Sequence, residues 1–463
     1  MMTSIRLQSN QTLAIMKPSN SSEAKIVNKL INLINRDKIE KIARKTGFVS
    51  RERKITGFIF MLILVFEIRR VNPESLNKIT IKLEKEGVFI SKQGINHRFN
   101  DSAVEFMKEL TFDVLSAKLD REELLENAVS FNRIIAKDST VFQLPAEYSD
   151  KYKGSGGGAS TAGIKLQYEY NLKANSGLDI EFQSSSTPDI KSKLQDIQPK
   201  DLRLEDLGYF KLSRFCEIMD NKAYFVSRLK YSIIVFSKKN DQYTRINIDK
   251  LVKNMKQGEK LDMQVYLGNK QKLPVRLIIE KVPNSVAAEK RRKLKTDKQN
   301  KRKNISKKRL AFCDVNAYIT NANQNILPTD LIRSIYSLRW QIEILFKTWK
   351  STFNIDKVKK MKIQRFDCIN YGTLLQIIIC TKLYNYYKTT LWNNQAIELS
   401  ELKSFQYLSE VVSQMREYIR GSQQNKMTEL LENTKEVLAR KCRKEKRKCS
   451  LTPMIILSKI PLS

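Results

Sequence analysis

Four residues able to carry chemistry lie in the stretch YSLRWQIEILFKTWK, at Tyr336, Arg339, Glu343 and Lys350. On one continuous helix, separations of three, four and seven positions place them within a stripe roughly 60° wide. The neighbouring stripe is apolar and predicts burial against a core: Leu331, Ile335, Leu338, Ile342, Leu345 and Trp349. The simplest interpretation of Arg339 and Glu343 is an i, i+4 ion pair worth about 0.3 kcal/mol.

Two distant aspartates suggest more than an ion pair. Asp138 interrupts the β-branched run NRIIAKDSTVFQL, and Asp206 closes the run LRLED. A carboxylate within an apolar strand is costly without a partner. If the two strands are neighbours and the helix packs across them, Asp138, Asp206 and Glu343 converge. Such a cluster predicts two divalent ions roughly 4 Å apart, which would activate a water or a 3′-hydroxyl for attack on phosphorus.

Histidine and cysteine chemistry is restricted in this chain. The one histidine, His97, lies in the basic segment KQGINHRFN with no nucleophile motif nearby, and the six cysteines form no C-x-x-C pair. A Ser-His-Asp or Cys-His mechanism would depend on His97 alone. Any metal would therefore be held by carboxylate oxygens, which suit Mg²⁺ or Mn²⁺.

The order of several segments resembles a known family. DSTVFQLP, GSGGGASTAGIKLQYEY, DLGYFKLSRF with AYFVSRLK, and YSLRWQIEILFKTWK look like successive motifs of bacterial insertion-sequence transposases of the DDE class. They are similar in particular to the insertion-sequence-four family, marked by Tyr-x2-Arg-x3-Glu-x6-Lys. The resemblance covers roughly residues 133–350, with a weaker similarity in the N-terminal helices.

This resemblance implies a fold, an activity and a set of site residues. The fold would be an α/β ribonuclease-H-like catalytic core, interrupted by a mostly β insertion, with helical N-terminal and C-terminal regions. Asp138, Asp206 and Glu343 would be the catalytic residues and would hold two Mg²⁺ or Mn²⁺ ions. Tyr336, Arg339 and Lys350 would grip phosphates of the transposon end. The enzyme would excise its element and join it to target DNA, working as a homodimer in the synaptic complex.

A hairpin intermediate, frequent among such relatives, is left open by the sequence. It calls for an aromatic residue in the insertion, yet Trp340, Trp349 and Trp392 all lie outside it. Tyr243 and Tyr266 are candidates for that role. The pattern around each tyrosine favours an ordinary β-surface residue.

Composition shifts divide the chain into five parts. A helical DNA-binding region is predicted at 1–129, the first part of the core at 130–230, and a β-rich insertion with a basic segment at 231–320. The last helix of the core falls at 321–381, and a helical, basic C-terminal region at 382–463. The basic segment, Glu289 to Arg309, is either a solvated linker or a contact surface for the DNA backbone.

The first part carries a candidate helix-turn-helix. Asn72 and Pro73 predict the start of one helix, Gly87 its end, and Ser91 the cap of a second helix. Ile90 and Ile95 could form a hydrophobic staple across that cap. The second helix projects Lys92, Gln93, Asn96 and Arg98, which are candidates for contacts in a major groove. An ordinary helical hairpin with a charged face explains the pattern as well.

The charge balance points to a polyanionic partner. Lysine and arginine number 84 against 49 acids, giving a formal net charge of +35 spread along the chain. Double-stranded DNA fits this better than a membrane surface. The most apolar stretch, Ile55 to Ile68, is shorter than a bilayer-spanning helix and predicts a buried helix. The N-terminus lacks a signal sequence, so a cytoplasmic, nucleoid-associated location is expected.

Two other functions remain open at this stage. A ribonuclease-H-like nuclease that cuts without joining would explain the acids, but not the long basic helical flanks. A catalytically inactive DNA-binding transposase remnant would explain the charge, but it predicts a damaged acid triad, and all three acids are present.

Overall fold

The computed structural model describes residues 22–51, 54–68, 75–117, 130–156, 160–174, 176–192, 196–300, 304–421, 423–445 and 452–461. The strands are β1 (Arg133–Leu144), β2 (Ala162–Asn171), β3 (Ser176–Ser184), β4 (Asp201–Glu205), β5 (Tyr224–Arg228), β6 (Val235–Lys239), β7 (Gln242–Arg245), β8 (Lys260–Leu267), β9 (Leu273–Lys281) and β10 (Val315–Thr320). The expected mixed α/β architecture with helical ends is confirmed.

The helices before the sheet are α1 (Ser22–Leu33), α2 (Arg36–Lys45), α3 (Gly57–Leu62), α4 (Leu76–Lys85), α5 (Lys92–Arg98) and α6 (Asp101–Ser116). Those between and after the strands are α7 (Leu212–Asp220), α8 (Ile248–Asn254), α9 (Asn284–Asn300), α10 (Lys307–Ala311), α11 (Ile332–Ser337), α12 (Trp340–Phe353), α13 (Ile363–Gln395), α14 (Glu401–Arg420), α15 (Gln424–Lys441) and α16 (Pro453–Ser458). No helix in these described ranges is both long and apolar enough to cross a bilayer.

The described strands form one mixed sheet in the order β3-β2-β1-β4-β5-β10-β9-β8-β6-β7. β1 runs parallel to β4, and β4 runs parallel to β5, whereas β2 and β3 join as antiparallel neighbours on the other side of β1. The strands predicted within the insertion therefore extend the same sheet through β10, which pairs antiparallel with β5. The sheet is continuous because β10 pairs through its backbone with the edge of β5 that β4 leaves free.

Buried helices cover one face of this sheet. α12 packs against β1, where the Trp349 ring meets the Tyr168 ring of β2 at 5.0 Å between centroids. The predicted apolar stripe is confirmed, because Ile335, Leu338 and Ile342 are at most 1% exposed. α13 runs without a break across the predicted boundary at 381/382 and packs along α6 and α14.

The apolar stretch after residue 55 is a buried helix, as predicted. Its first half is α3, and the second half, Ile63–Glu67, is a π-helical turn. α13 approaches this turn closely at Gly372, where an added Cβ would lie 2.8 Å from the carbonyl oxygen of Leu64. Glycine at this position lets the N-terminal helices dock on the long C-terminal helix.

The helix-turn-helix candidate folds as a short hairpin. α4 begins after the Ser75 cap, and its predicted start at Asn72 and Pro73 lies outside the described residues. The turn passes through Gly87 at φ +76°, and Ser91 caps α5 by accepting from the Gly94 amide at 3.1 Å. A Cβ on Gly94 would stand 2.7 Å from Ile90, so glycine leaves the room that the predicted staple needs.

Candidate functional site

The end of β4 brings two predicted acids together. The parallel ladder between β1 and β4 pairs Lys137 with Glu205 as its last position. One further step in this register sets Asp138 opposite Asp206, at the point where β4 stops and the chain turns into the segment Leu207–Tyr209. The expected convergence of the two aspartates follows from this parallel pairing.

Glu343 reaches the same place from α12, through a shared arginine. Arg339 donates from Nη1 to Asp138 Oδ2 at 2.7 Å and from Nη2 to Glu343 Oε1 at 2.6 Å. The i, i+4 pair expected from the sequence therefore exists, and the same guanidinium also binds an acid 201 positions away. Arg339 is 12% exposed, and its Nε has no hydrogen-bond partner in the described structure.

The electrostatics at Asp138 reflect crowding of acids. Burial, assisted by the charges of Asp206 and Glu343, raises the pKa of the Asp138 carboxyl to about 6, against the opposing effects of Arg339 and the Ser139 amide. That amide donates to Asp138 Oδ1 at 2.8 Å. Among the residues that the structure describes, the Asp206 carboxylate has no hydrogen-bond or ion-pair partner. The site thus holds more negative charge than its one guanidinium balances.

The helix that carries the signature is not continuous, which corrects the single-helix prediction. α11 ends at Ser337 and α12 begins at Trp340, with the turn between them held by i, i+3 hydrogen bonds, Leu338 N to Ile335 O at 3.0 Å and Arg339 N to Tyr336 O at 3.2 Å. Backbone angles at Leu338 and Arg339 stay helical, so Arg339 and Glu343 keep a common face.

Tyr336 lies inside the protein, where we expected a phosphate contact. It is 6% exposed, its ring packs 5.4 Å from the Tyr318 ring, and its hydroxyl donates to the carbonyl oxygen of Glu205 at 3.4 Å. Burial raises the pKa of Tyr336 to about 12. Its contact with the residue preceding Asp206 makes Tyr336 a support for that loop, and the predicted phosphate contact stays a prediction.

Lys350 lies two turns further along α12, at the border of the site. Its Nζ donates to the Val141 carbonyl oxygen of β1 at 3.2 Å, in an exposed setting. The Val141 side chain is 42% exposed. Lys350 thus lies at the edge of the site, and its contact with a DNA phosphate stays a prediction.

The N-terminal candidates separate into two groups. Lys92 and Gln93 are exposed on α5, and Asn96 is half-buried. Arg98 turns inward instead: its guanidinium carbon lies 4.2 Å from the centre of the Phe48 ring, and Nη2 donates to the Phe48 carbonyl oxygen at 3.0 Å. Arg98 thus ties α5 to the segment after α2, and its contact with DNA stays a prediction.

A metal site is not preassembled in this arrangement. Within the described ranges, no three histidine, cysteine, aspartate or glutamate side chains stand close enough together to hold a metal ion. The reason at this site is Arg339, whose guanidinium lies between Asp138 and Glu343. The donor set is nevertheless suitable for a hard cation, because all three acids offer oxygen ligands and their charge is undercompensated.

The sequence did not point to the polar residues on the opposite face of the sheet from Asp138. Asp189, in the irregular segment between β3 and β4, accepts hydrogen bonds from Ser139, Lys165 and Gln167. Its only local signal is the turn-forming segment SSSTPD. These contacts join residues 22 to 50 positions apart, which no periodicity reveals.

Comparison with known proteins agrees with the geometry. A family model described as transposase DDE domain matches residues 130–378. The transposase for insertion sequence element IS231B of Bacillus thuringiensis subsp. berliner is 32% identical over 88% of this chain and 90% of its own length. The transposase for insertion sequence element IS1151 of Clostridium perfringens is 34% identical over 80% of this chain and 82% of its own. The chain therefore belongs to the family of DDE transposases, enzymes that act on DNA and use divalent metal ions.

Proposed function

We propose that this transposase binds the ends of an insertion sequence, cuts them free and joins them to target DNA at a centre formed by Asp138, Asp206 and Glu343. The observation that carries the proposal is the shared guanidinium of Arg339, which joins β1 to α12 beside the end of β4. This contact joins Asp138 to Glu343, and the register of β1 with β4 sets Asp206 beside Asp138, although the three acids are 68 and 137 positions apart in the chain.

The three carboxylates would hold two Mg²⁺ or Mn²⁺ ions. Bound there, the ions would supply a metal-activated oxygen nucleophile and charge stabilisation for the leaving oxygen. Arg339 lies between two of the proposed ligands, so its guanidinium must leave that position when the ions bind. Once released, the guanidinium would be free to donate charge-assisted hydrogen bonds to a phosphate of the bound DNA.

The remaining chain residues would bind and orient DNA. Lys350 is half-buried at the border of the site and would contact a phosphate of the element end. Lys92, Gln93 and Asn96 on α5 would contact DNA outside the catalytic centre. Two DNA ends must be held together for joining, and we therefore propose a homodimer in the synaptic complex.

The fold and the motif support a narrower assignment. The order β3-β2-β1-β4-β5, with β1, β4 and β5 parallel, supports the proposal of a ribonuclease-H-like core. The spacing of Tyr336, Arg339, Glu343 and Lys350 supports membership of the insertion-sequence-four family. In this assignment the insertion predicted at 231–320 would contain strands β6 to β10, whereas the predicted boundary at 381/382 falls within α13.

The test is cleavage of a DNA duplex that carries the sequences flanking the coding region. Wild type and Glu343→Gln are compared in Mg²⁺, Mn²⁺ and Ca²⁺, and Mn²⁺ binding is measured by calorimetry. Glu436→Gln is the matched control, because Glu436 forms an i, i+4 pair with Arg440 at 3.0 Å on exposed α15.

We expect cleavage and joining in Mg²⁺ for the wild type and the control, and neither product for Glu343→Gln. Loss of Mn²⁺ binding in Glu343→Gln would accompany the loss of cleavage. Cleavage without joined product would favour a nuclease, and DNA binding without any cut in the wild type would favour an inactive remnant. Full activity of Glu343→Gln would refute the proposed centre.

A further inference from the structure

A polar cluster lies on the face of the sheet opposite Asp138. Side chains alternate along a strand, so Ser139 points away from the face that carries Asp138. Ser139 is paired in register with Gln167 of β2, and Lys165 follows on the same face. All three donate to one atom, Asp189 Oδ1: Lys165 Nζ at 2.9 Å, Ser139 Oγ at 3.0 Å and Gln167 Nε2 at 3.0 Å.

The cluster also reaches the loop that follows Asp206. The Tyr209 hydroxyl donates to Gln167 Oε1 at 2.5 Å, and the Tyr209 side chain is 1% exposed. The Tyr209 amide donates to the carbonyl oxygen of Asp206 at 3.0 Å. Gly208, between Asp206 and Tyr209 in the chain, lies against Asp189, because a Cβ added to Gly208 would stand 3.3 Å from Asp189 Oδ2. Asp189 thus contacts the loop directly and holds it through Gln167.

We propose that Asp189 is a positioning residue that sets the separation of Asp138 and Asp206 from the reverse face of the sheet. The proposal rests on the function proposed above, in which both aspartates hold metal ions. The ladder between β1 and β4 sets Asp206 beside Asp138 but ends one position before these residues, so Asp206 lies past the last paired position of β4. The turn after it is fixed by Tyr209 and Gly208, both of which lie on the Asp189 cluster.

By holding the two aspartates in place, Asp189 would change the affinity of the site for metal ions without itself binding a metal ion. Carboxylate ligands that are free to shift lose part of their affinity, and residues that support metal ligands typically contribute about 10-fold to 100-fold in metal binding. Asp189 touches neither proposed metal ligand. Its effect must pass through Ser139, which adjoins Asp138, and through Tyr209, three residues after Asp206.

The experiment compares Asp189→Ala, Asp189→Asn and wild type in the full chain. Mn²⁺ binding is measured by calorimetry, and cleavage is measured against Mn²⁺ concentration. We expect Asp189→Ala to raise the Mn²⁺ concentration for half-maximal cleavage by about 10-fold, with a matching loss of affinity. Asp189→Asn keeps an acceptor oxygen for the three donors and should recover most of the affinity.

Asp262→Ala provides a control for a purely structural loss. Asp262 of β8 accepts hydrogen bonds from Arg276, Thr329 and Gln324. In the part of the chain that the structure describes, no hydrogen bond or ion pair joins it to Asp138, Asp206 or Glu343. Its removal should lower stability and leave the Mn²⁺ dependence unchanged. Tyr209→Phe removes a single hydrogen bond of the Asp189 cluster and should shift the Mn²⁺ dependence in the same direction by a smaller factor. If Asp189→Ala does not fold, the Tyr209→Phe variant is used to test the proposal in its place.

The outcomes separate this inference from the proposed function. An unchanged Mn²⁺ profile in Asp189→Ala or Tyr209→Phe, together with an inactive Glu343→Gln, would overturn the positioning role and leave the catalytic centre intact. A shift equal to that of Asp262→Ala would also overturn it. An active Glu343→Gln would overturn the proposed centre and this inference with it.

Discussion

Replacing Asp138 with asparagine should stabilise the metal-free protein while abolishing cleavage. Burial raises the pKa of the Asp138 carboxyl from its ordinary 3.8 to about 6, so the folded state favours the protonated form. The stability that comes from burying the protonated carboxyl is fully present below about pH 4 and is lost as the pH rises through about 6. At neutral pH the folded protein therefore carries an ionised carboxylate at a cost, which asparagine avoids.

The size of the stabilisation expected in Asp138→Asn follows from the difference between the two pKa values of Asp138. Two units correspond to about 3 kcal/mol, since each unit is worth about 1.4 kcal/mol. The side chain is 18% exposed, and the remaining hydration reduces the gain to about 1 to 2 kcal/mol. Asparagine can still accept from Arg339 and from the Ser139 amide through its amide oxygen.

The assay is urea unfolding of wild type and Asp138→Asn in EDTA at pH 5 and pH 8. We expect Asp138→Asn to have the higher midpoint at pH 8 and a smaller advantage at pH 5. Added Mg²⁺ should then stabilise the wild type more than the variant, because the ion binds only the folded site.

A matched variant, Asp201→Asn, is expected to change the stability at pH 8 in the opposite direction. Asp201 is fully buried at the start of β4 and accepts from Arg133 Nε at 2.7 Å and Nη2 at 2.6 Å. Asp201→Asn removes the charge of a fully buried acid and leaves the half-buried Arg133 with Asp196 as its remaining acid partner, so it should lower stability at pH 8. The reasoning about Asp138 is refuted if Asp138→Asn is less stable than wild type at pH 8, or if the difference does not change with pH.

Three further predictions concern the scaffold. Glu169, 1% exposed, pairs with Lys137 at 2.8 Å and Arg203 at 3.3 Å, so Glu169→Gln should destabilise the protein by about 3 kcal/mol in urea unfolding. Gly372→Ala forces a methyl group against the Leu64 carbonyl and should cost about 1 to 3 kcal/mol, seen as a lower melting temperature. Arg98→Ala should lower the melting temperature through its lost packing on Phe48, whereas Lys92→Ala should keep it and weaken DNA binding in a salt-dependent gel shift.

Much of the local structure could be predicted from the sequence. β1 follows from a β-branched run, and the cap and turn around α5 follow from Ser91 and Gly87. The apolar stripe of α12 and the importance of Asp138, an acid in that run, were also visible. These features depend on residues a few positions apart, where conformational preference, capping and periodicity act directly.

Only the tertiary structure decided how these pieces meet. The sequence placed Tyr336 and Arg98 at the DNA surface, yet packing buries Tyr336 against β10 and turns Arg98 onto Phe48. Arg339 binds Asp138 across 201 positions, and Asp189 gathers donors from two strands. The direction of a polar side chain depends on which strands lie side by side and where a ladder ends. These are properties of long-range pairing, and local sequence carries no signal for them.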